Sequence, residues 1–342
     1  MTKSMQGTRA LALLALFAIL SVLVAACGSD SDDSLVVYSG RTSSLVRPLL
    51  EQFNRDTGVL IQVRYASSAA IAALVLEEGD RSPADVVFLQ DSGALGALSA
   101  EGMLTQLPGS ILERVDPQFR AANEEWVGTS GRARTVVYNT ETIDPAADLP
   151  DSILDFTDPQ WKGRLGWAPA NASFQAFVTG MRVLLGDAAT EDWLRGILAN
   201  DVREYGNNIT TVLGAASGEM DVGFVNHYYL ERFLEEEGED FGARNHFIGN
   251  GDPGALILTA GAGVLKSSGN KDRAEGFIRY LLEADAQQYF SDETKEYPLI
   301  EGVSPSGNLP PISTLDPPVV DLSGLDDLRG TLNLLRKVGV LD

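Results

Sequence analysis

Cysteine and histidine are nearly missing from this chain. Its 342 residues include one cysteine and two histidines. One cysteine excludes a disulfide framework, and the pair of histidines cannot complete a zinc finger. Thiol or imidazole catalysis has little material, because a triad needs a base and only His227 and His246 exist. No G-x-S-x-G, H-E-x-x-H or P-loop pattern occurs. Paired carboxylates such as Glu77-Glu78 and Glu235-Glu236-Glu237 fall on helix faces, where solvation accounts for them, so the chain reads as a non-enzyme. Basic residues are scarce as well: 26 Lys and Arg stand against 48 Asp and Glu, a net charge of −22. A surface of that sign repels phosphate backbones, which argues against a nucleic-acid partner.

What is present is ample core. Apolar residues make up 44% of the chain and charged residues 22%, the balance of a globular protein. The length exceeds one ordinary domain and predicts two. Residues 1–27 stand apart. Lys3 and Arg9 make a small positive start, Ala10 to Ala26 run without charge, and the run closes at Val24-Ala25-Ala26-Cys27. This is a secretory leader pattern. A membrane anchor is the competing reading, but the run is 17 residues, at the short edge of the ~17–25 that span a bilayer. Residues 28–34 (GSDSDDS) read as a polar, flexible tether. Losing Lys3 and Arg9 with the leader takes the charge from −22 to −24.

From Leu35 onward, apolar spacing predicts alternating strands and helices. Leu35 to Tyr38, Val59 to Tyr65 and Ala84 to Leu89 read as strands. Thr42 to Thr57, Ala69 to Glu78 and Gly93 to Ala100 read as helices. A βαβαβ opening means a parallel sheet with helices on its faces. In the middle, Arg134 to Tyr138 and Asp221 to Val225 read as strands, and Ser173 to Leu185, Glu191 to Leu198 and Thr210 to Ala216 as helices. Ala255 to Leu265 reads as a bent strand or strand pair, Lys271 to Glu283 as an amphipathic helix, and Leu325 to Val338 as the last helix. Two α/β lobes with a cleft at the carboxyl ends of the strands follow.

Seven pieces in order carry a resemblance. They are Val37-Tyr38-Ser39-Gly40-Arg41, Arg81-Ser82-Pro83-Ala84-Asp85-Val86, Ser130-Gly131-Arg132-Ala133-Arg134-Thr135-Val136-Val137-Tyr138, Trp161-Lys162-Gly163-Arg164, Asn226-His227-Tyr228-Tyr229, Asp252-Pro253-Gly254-Ala255 and Lys295-Glu296-Tyr297-Pro298-Leu299. Together they resemble the ferric-ion-binding periplasmic proteins, the solute receptors of Fe(III) ABC importers. The ending at Cys27 likewise resembles a bacterial lipoprotein signal, in which that cysteine is lipidated. The resemblance implies a two-lobed type II periplasmic-binding architecture, with residues 35–130 plus 256–342 as one lobe and 131–255 as the other. Arg134–Tyr138 and Ala255–Leu265 would be the hinge strands. It implies a monomer, held by a lipid at the outer face of the cytoplasmic membrane or in the periplasm. The partners would be an importer permease and its ATPase.

The candidate site centres on Tyr228-Tyr229. Adjacent residues on a strand point to opposite faces, so both hydroxyls reach one point only if the backbone turns there. A phenol is normally neutral, but a trivalent cation favours the phenolate, and hard Fe(III) prefers anionic oxygen. Taken alone, the pair fits equally a packed and an exposed tyrosine at a sheet edge. The resemblance implies metal ligation. It also exposes two departures: Thr42 holds the place of the family's histidine, and Gln90, followed by Asp91, that of its glutamate. A subgroup of the family uses further tyrosines, which makes Tyr138 the third expected ligand and Thr42, Gln90 and Asp91 possible cleft contacts. For a synergistic phosphate or carbonate the matching positions are Asn171, Ala172, Ser173, Asn208 and Asn226. Asn171-Ala172-Ser173 and Asn208 also precede helices, where free N–H groups attract anions or where asparagine simply caps. Arg41 is a further candidate anion contact. Tyr297 reads as packing. The alternative ligand is an organic anion: a phosphorylated sugar, a phosphonate or a thiamine ester.

Overall fold

The computed structural model describes residues 34–341. The leader, Cys27 and the tether as far as residue 33 lie outside the described residues. Ser34, the last residue read as tether, is buried. Among the described residues no helix is long and apolar enough to cross a membrane.

The opening follows the apolar spacing: β1 (Leu35–Ser39), α1 (Ser43–Thr57), β2 (Ile61–Tyr65), α2 (Ser68–Glu78), β3 (Val86–Leu89) and α3 (Ser92–Ala100). Helix α1 buries Val46, Leu49, Leu50 and Phe53 and ends at Gly58, whose φ of 73° suits a residue without a Cβ. Ser67 caps α2 by accepting the Ala70 N–H at 3.2 Å, and Asp91 caps α3 through the Ala94 N–H at 2.9 Å. The chain continues through α4 (Gly109–Leu112), β4 (Val127–Asn139), β5 (Leu165–Trp167), α5 (Ala172–Leu185), α6 (Asp187–Ala199), β6 (Arg203–Glu204) and α7 (Asn208–Ala216). It ends with β7 (Val222–Asn226), α8 (Tyr228–Glu237), β8 (Ala243–His246), β9 (Ile257–Val264), α9 (Lys271–Leu281), α10 (Ala284–Thr294) and α11 (Leu328–Lys337).

Strand order is β2-β1-β3-β9-β4-β7-β5-β6, with β8 beside β4. The strand β4 joins the two regions. From Val127 to Ala133 it pairs antiparallel with β9; from Arg134 onward it pairs with β7 and, further on, with β8. The spacing predicted only Arg134–Tyr138 as strand. The first half of β4 was hidden because the whole strand is buried. Burial on both faces removes the period-two alternation, and Gly, Ser and Arg are weak strand signals. Likewise α11 starts at Leu328 rather than Leu325, because a turn at Leu322–Gly324 precedes it.

The last helix also departs from the expected lobe assignment of residues 256–342. It packs on α5 and α6 of the middle segment, with Thr179 Oγ1 and Thr331 Oγ1 2.7 Å apart and Lys337 Nζ 2.6 Å from Glu191 Oε2.

The segment Lys295-Glu296-Tyr297 fastens the middle of the fold. Tyr297 exchanges backbone hydrogen bonds with Gly131 in β4, both 2.8 Å. The Glu296 carboxylate takes Arg41 Nη2 at 2.9 Å and the Ser130 hydroxyl at 2.5 Å, in a fully buried group. Burial alone would raise the Glu296 carboxyl, but Arg41, Arg132 and Ser130 outweigh it and hold it below the ordinary carboxylate range. Arg41→Ala should therefore cost about 3–5 kcal/mol of unfolding free energy, because a buried carboxylate loses its counter-ion. Denaturant unfolding of the metal-free protein measures this. The double variant Arg41→Met with Glu296→Leu should recover much of the loss.

Candidate metal and anion site

The strand β7 ends at Asn226, and His227 already has helical dihedrals, φ −55° and ψ −42°. This answers how two neighbouring tyrosines can meet. On a strand they would diverge by half a turn; on a helix they are about 100° apart. Tyr228 and Tyr229 open α8, and their rings lie 4.3 Å apart between centroids at 34°. The first turn of α8 also offers unpaired N–H groups and the positive end of the helix dipole to a phenolate.

Guanidiniums surround Tyr228. Arg232 lies 5.5 Å from the centre of its ring. Arg132 acts on it electrostatically from β4, and Arg134, also on β4, feels both phenols. Burial is the main influence on Tyr228 and raises its phenol, with Tyr229 adding to the rise; Arg132 and the Asn226 side chain act the other way. Burial likewise lowers the Arg134 guanidinium, and the two phenols, when ionised, oppose that. Arg134 donates to Asn226 Oδ1 at 2.9 Å and lies over the Phe177 ring at 4.7 Å. The Asn226 Nδ2 and the Arg132 Nε are buried without a partner.

The expected anion residues come together in part. Asn171 Oδ1 caps α5, accepting from Ser173 N at 3.0 Å and Ser173 Oγ at 2.7 Å. Asn208 Nδ2 reaches across from α7 to Asn171 Oδ1 at 3.1 Å and Ser173 Oγ at 2.9 Å. The cap of α7 is Asn207, not Asn208, so the Asn208 side chain is free to tie the two helix starts together. Thr42, Gln90 and Asp91 line a cavity of about 570 Å³ with Arg132, Ala172 and Ser173. Asp91 spends one carboxylate oxygen on its cap, and the Gln90 carbonyl accepts from Arg132. The tyrosine pair does not line this cavity.

Two expected site residues are otherwise engaged. Tyr138 pairs with Val222 and Arg244, four positions along β4 from Arg134, or about 13 Å at strand rise. Burial raises its phenol, and its charged neighbours are Arg244 and Asp144. It is a packed strand aromatic, not a companion of the pair. Arg41 lines the same cavity, but its guanidinium is engaged in the buried pair with Glu296 and Ser130, between Phe88 and Phe290. The arginines that do face the site, Arg132 and Arg134, were missed. The signal was present: two cations at i and i+2 share one face of an otherwise uncharged strand. Tyr297 packs as read, fully buried. Among the described residues no group of three or more His, Cys, Asp or Glu could hold a metal.

His227 is structural. Its Nδ1 accepts from the Ala133 N–H at 3.2 Å and its Nε2 donates to the Lys295 carbonyl at 2.8 Å. Burial lowers it to about 4 from 6.5. The unfolded chain thus takes up a proton near pH 6.5 and the folded chain only near 4. Stability is full above that window and falls as pH drops through it, by about 1.4 kcal/mol per unit. Unfolding of the metal-free protein between pH 7 and 4 should show this slope, and His227→Gln should flatten it.

Comparison with known proteins agrees along the chain. The profile of a family described as bacterial extracellular solute-binding protein matches residues 81–315. The major ferric iron-binding protein of Neisseria meningitidis serogroup A is 34% identical over 327 residues, 95% of this chain and 98% of the relative. Iron-bound HitA from Pseudomonas aeruginosa is 35% identical, with a TM-score of 0.79 over 90% of this chain and 99% of that one. A Trichodesmium protein in complex with iron and citrate is 26% identical, with a TM-score of 0.80 over the same shares. The fold is that of the two-lobed type II binding proteins.

Proposed function

Because the chain belongs to the family of bacterial extracellular solute-binding proteins, we propose that it captures Fe(III) outside the cytoplasmic membrane through the phenolates of Tyr228 and Tyr229. It then hands the ion to an ABC importer, the permease and its ATPase. The observation that carries this is the meeting of two adjacent phenols at the start of α8. Hard anionic oxygen suits Fe(III) and suits Ca²⁺ or Mg²⁺ poorly. The ion's charge offsets what burial adds to the cost of ionising Tyr228. Relatives named for ferric iron support the choice of metal.

A small anion such as phosphate or carbonate completes the coordination. The buried donors without partners, Asn226 Nδ2 and Arg132 Nε, suit it, and Asn171, Ala172, Ser173 and Asn208 bring two helix starts toward it. Thr42, Gln90 and Asp91 close the far wall without supplying the family's histidine and glutamate. Cys27 carries the lipid that keeps the receptor near its importer; diacyl attachment holds where one chain would not. The task is binding rather than turnover.

Adding Fe(III) to the purified protein should produce a visible phenolate charge-transfer band that titrates to one equivalent. Tyr228→Phe with Tyr229→Phe should abolish band and binding while the metal-free melting temperature stays nearly unchanged. Equal iron affinity in that variant sinks the assignment. The cavity favours a second reading: its size and Arg132 would suit an organic anion. A colourless protein that melts higher with a phosphorylated sugar would decide for that reading.

A further inference from the structure

The end of the chain crosses the molecule beside the cleft. The turn Leu322–Gly324 lies on α3. The fit is close enough that a Cβ added at Gly96 would run into the Ser323 carbonyl oxygen, and one at Gly93 into that of Leu325. Leu322 and Leu325 are buried there. Asp326 and Asp327 then carry the chain over to α5. Arg182 Nη1 donates to the Asp327 carbonyl at 3.1 Å and to Thr331 Oγ1 at 3.0 Å, and its Nη2 holds the Asp327 carboxylate at 3.0 Å. Lys337 on Glu191 and Thr331 against Thr179 complete this second anchor. One anchor belongs to the region of β1, β2 and β3, the other to that of β5, β6 and β7. Between them Leu325 and Leu328 line the same cavity as Arg132, Gln90 and Ser173. The segment lies beyond the residues that the family profile matches.

We propose that Leu322–Lys337 is a strap that holds the two halves together beside the cleft and so sets the rate at which bound ligand escapes. Parting the halves must break an anchor or stretch the short link, and extended chain reaches at most about 3.5 Å per residue. The anchors hold in the arrangement seen here, so they stabilise it over a more open one. The effect on escape rests on the Fe(III) reading above; the effect on shape does not.

Two variants test it. Gly96→Ala lifts the first anchor; Arg182→Ala with Lys337→Ala loosens the second and spares the core should the glycine variant fold poorly. Small-angle scattering of the metal-free protein should show a larger radius of gyration in each folded variant. Loss of the visible band to excess EDTA should run about tenfold faster, the effect of losing charged hydrogen bonds. An unchanged radius in both variants, or unchanged release, overturns the strap. If the parent protein takes up no iron, the metal reading falls, and scattering alone still decides the strap.

Discussion

Two phenol rings crowded into one helical turn are a poor arrangement unless something positive joins them. Burial disfavours ionising Tyr228, and an ionised Tyr229 would disfavour it more. The surroundings offset part of this cost. Arg132, Arg134 and Arg232 lie around the pair, and the amide dipoles of α8 point the same way. These groups lower the cost without removing it, so burial still holds the Tyr228 phenol above its ordinary range. On the proposed reading such a site would discriminate by charge, since a weakly charged ion would not return what ionising a buried phenol takes.

The scaffold serves that turn. The helical entry at His227 is fixed from both sides, since its ring holds Ala133 of β4 and the carbonyl of Lys295. Lys295 in turn reaches Glu235, further along α8, at 2.9 Å. Glu296 and Tyr297 bind Arg41, Ser130 and Gly131. One short segment therefore locks the tyrosine helix, the shared strand and the loop after β1 into a single register. The histidine that looks like a ligand by type is a brace by position.

Most of the fold was legible because its elements obey simple periods. Helix α1 shows its buried face as Val46, Leu49, Leu50 and Phe53, and β3 is a plain apolar run. The first half of β4 was illegible because a strand buried on both faces carries no alternation. The closeness of Tyr228 to Tyr229, and of Asn171 to Asn208, was legible because these residues stand in short, unusual strings. Tyr138 misled because a motif fixes neighbours in sequence, whereas four residues along a strand are remote in space. Arg41 misled because a guanidinium suits a bound anion and a buried carboxylate alike, and this one faces Glu296, far away in sequence and adjacent in the fold. The C-terminal crossing was invisible for the same reason, since nothing in an amphipathic helix says which surface it will cover.

The strand β4 exchanges β9 for β7 between Ala133 and Arg134. A member of two ladders cannot slide in either, so relative rotation of the halves must be taken up as torsion near that junction. The side chains on either side of it, Arg132 and Arg134, then sit close to the pivot and travel least. The positive charge that Arg132 and Arg134 bring to the phenols would therefore change little were the halves to rotate.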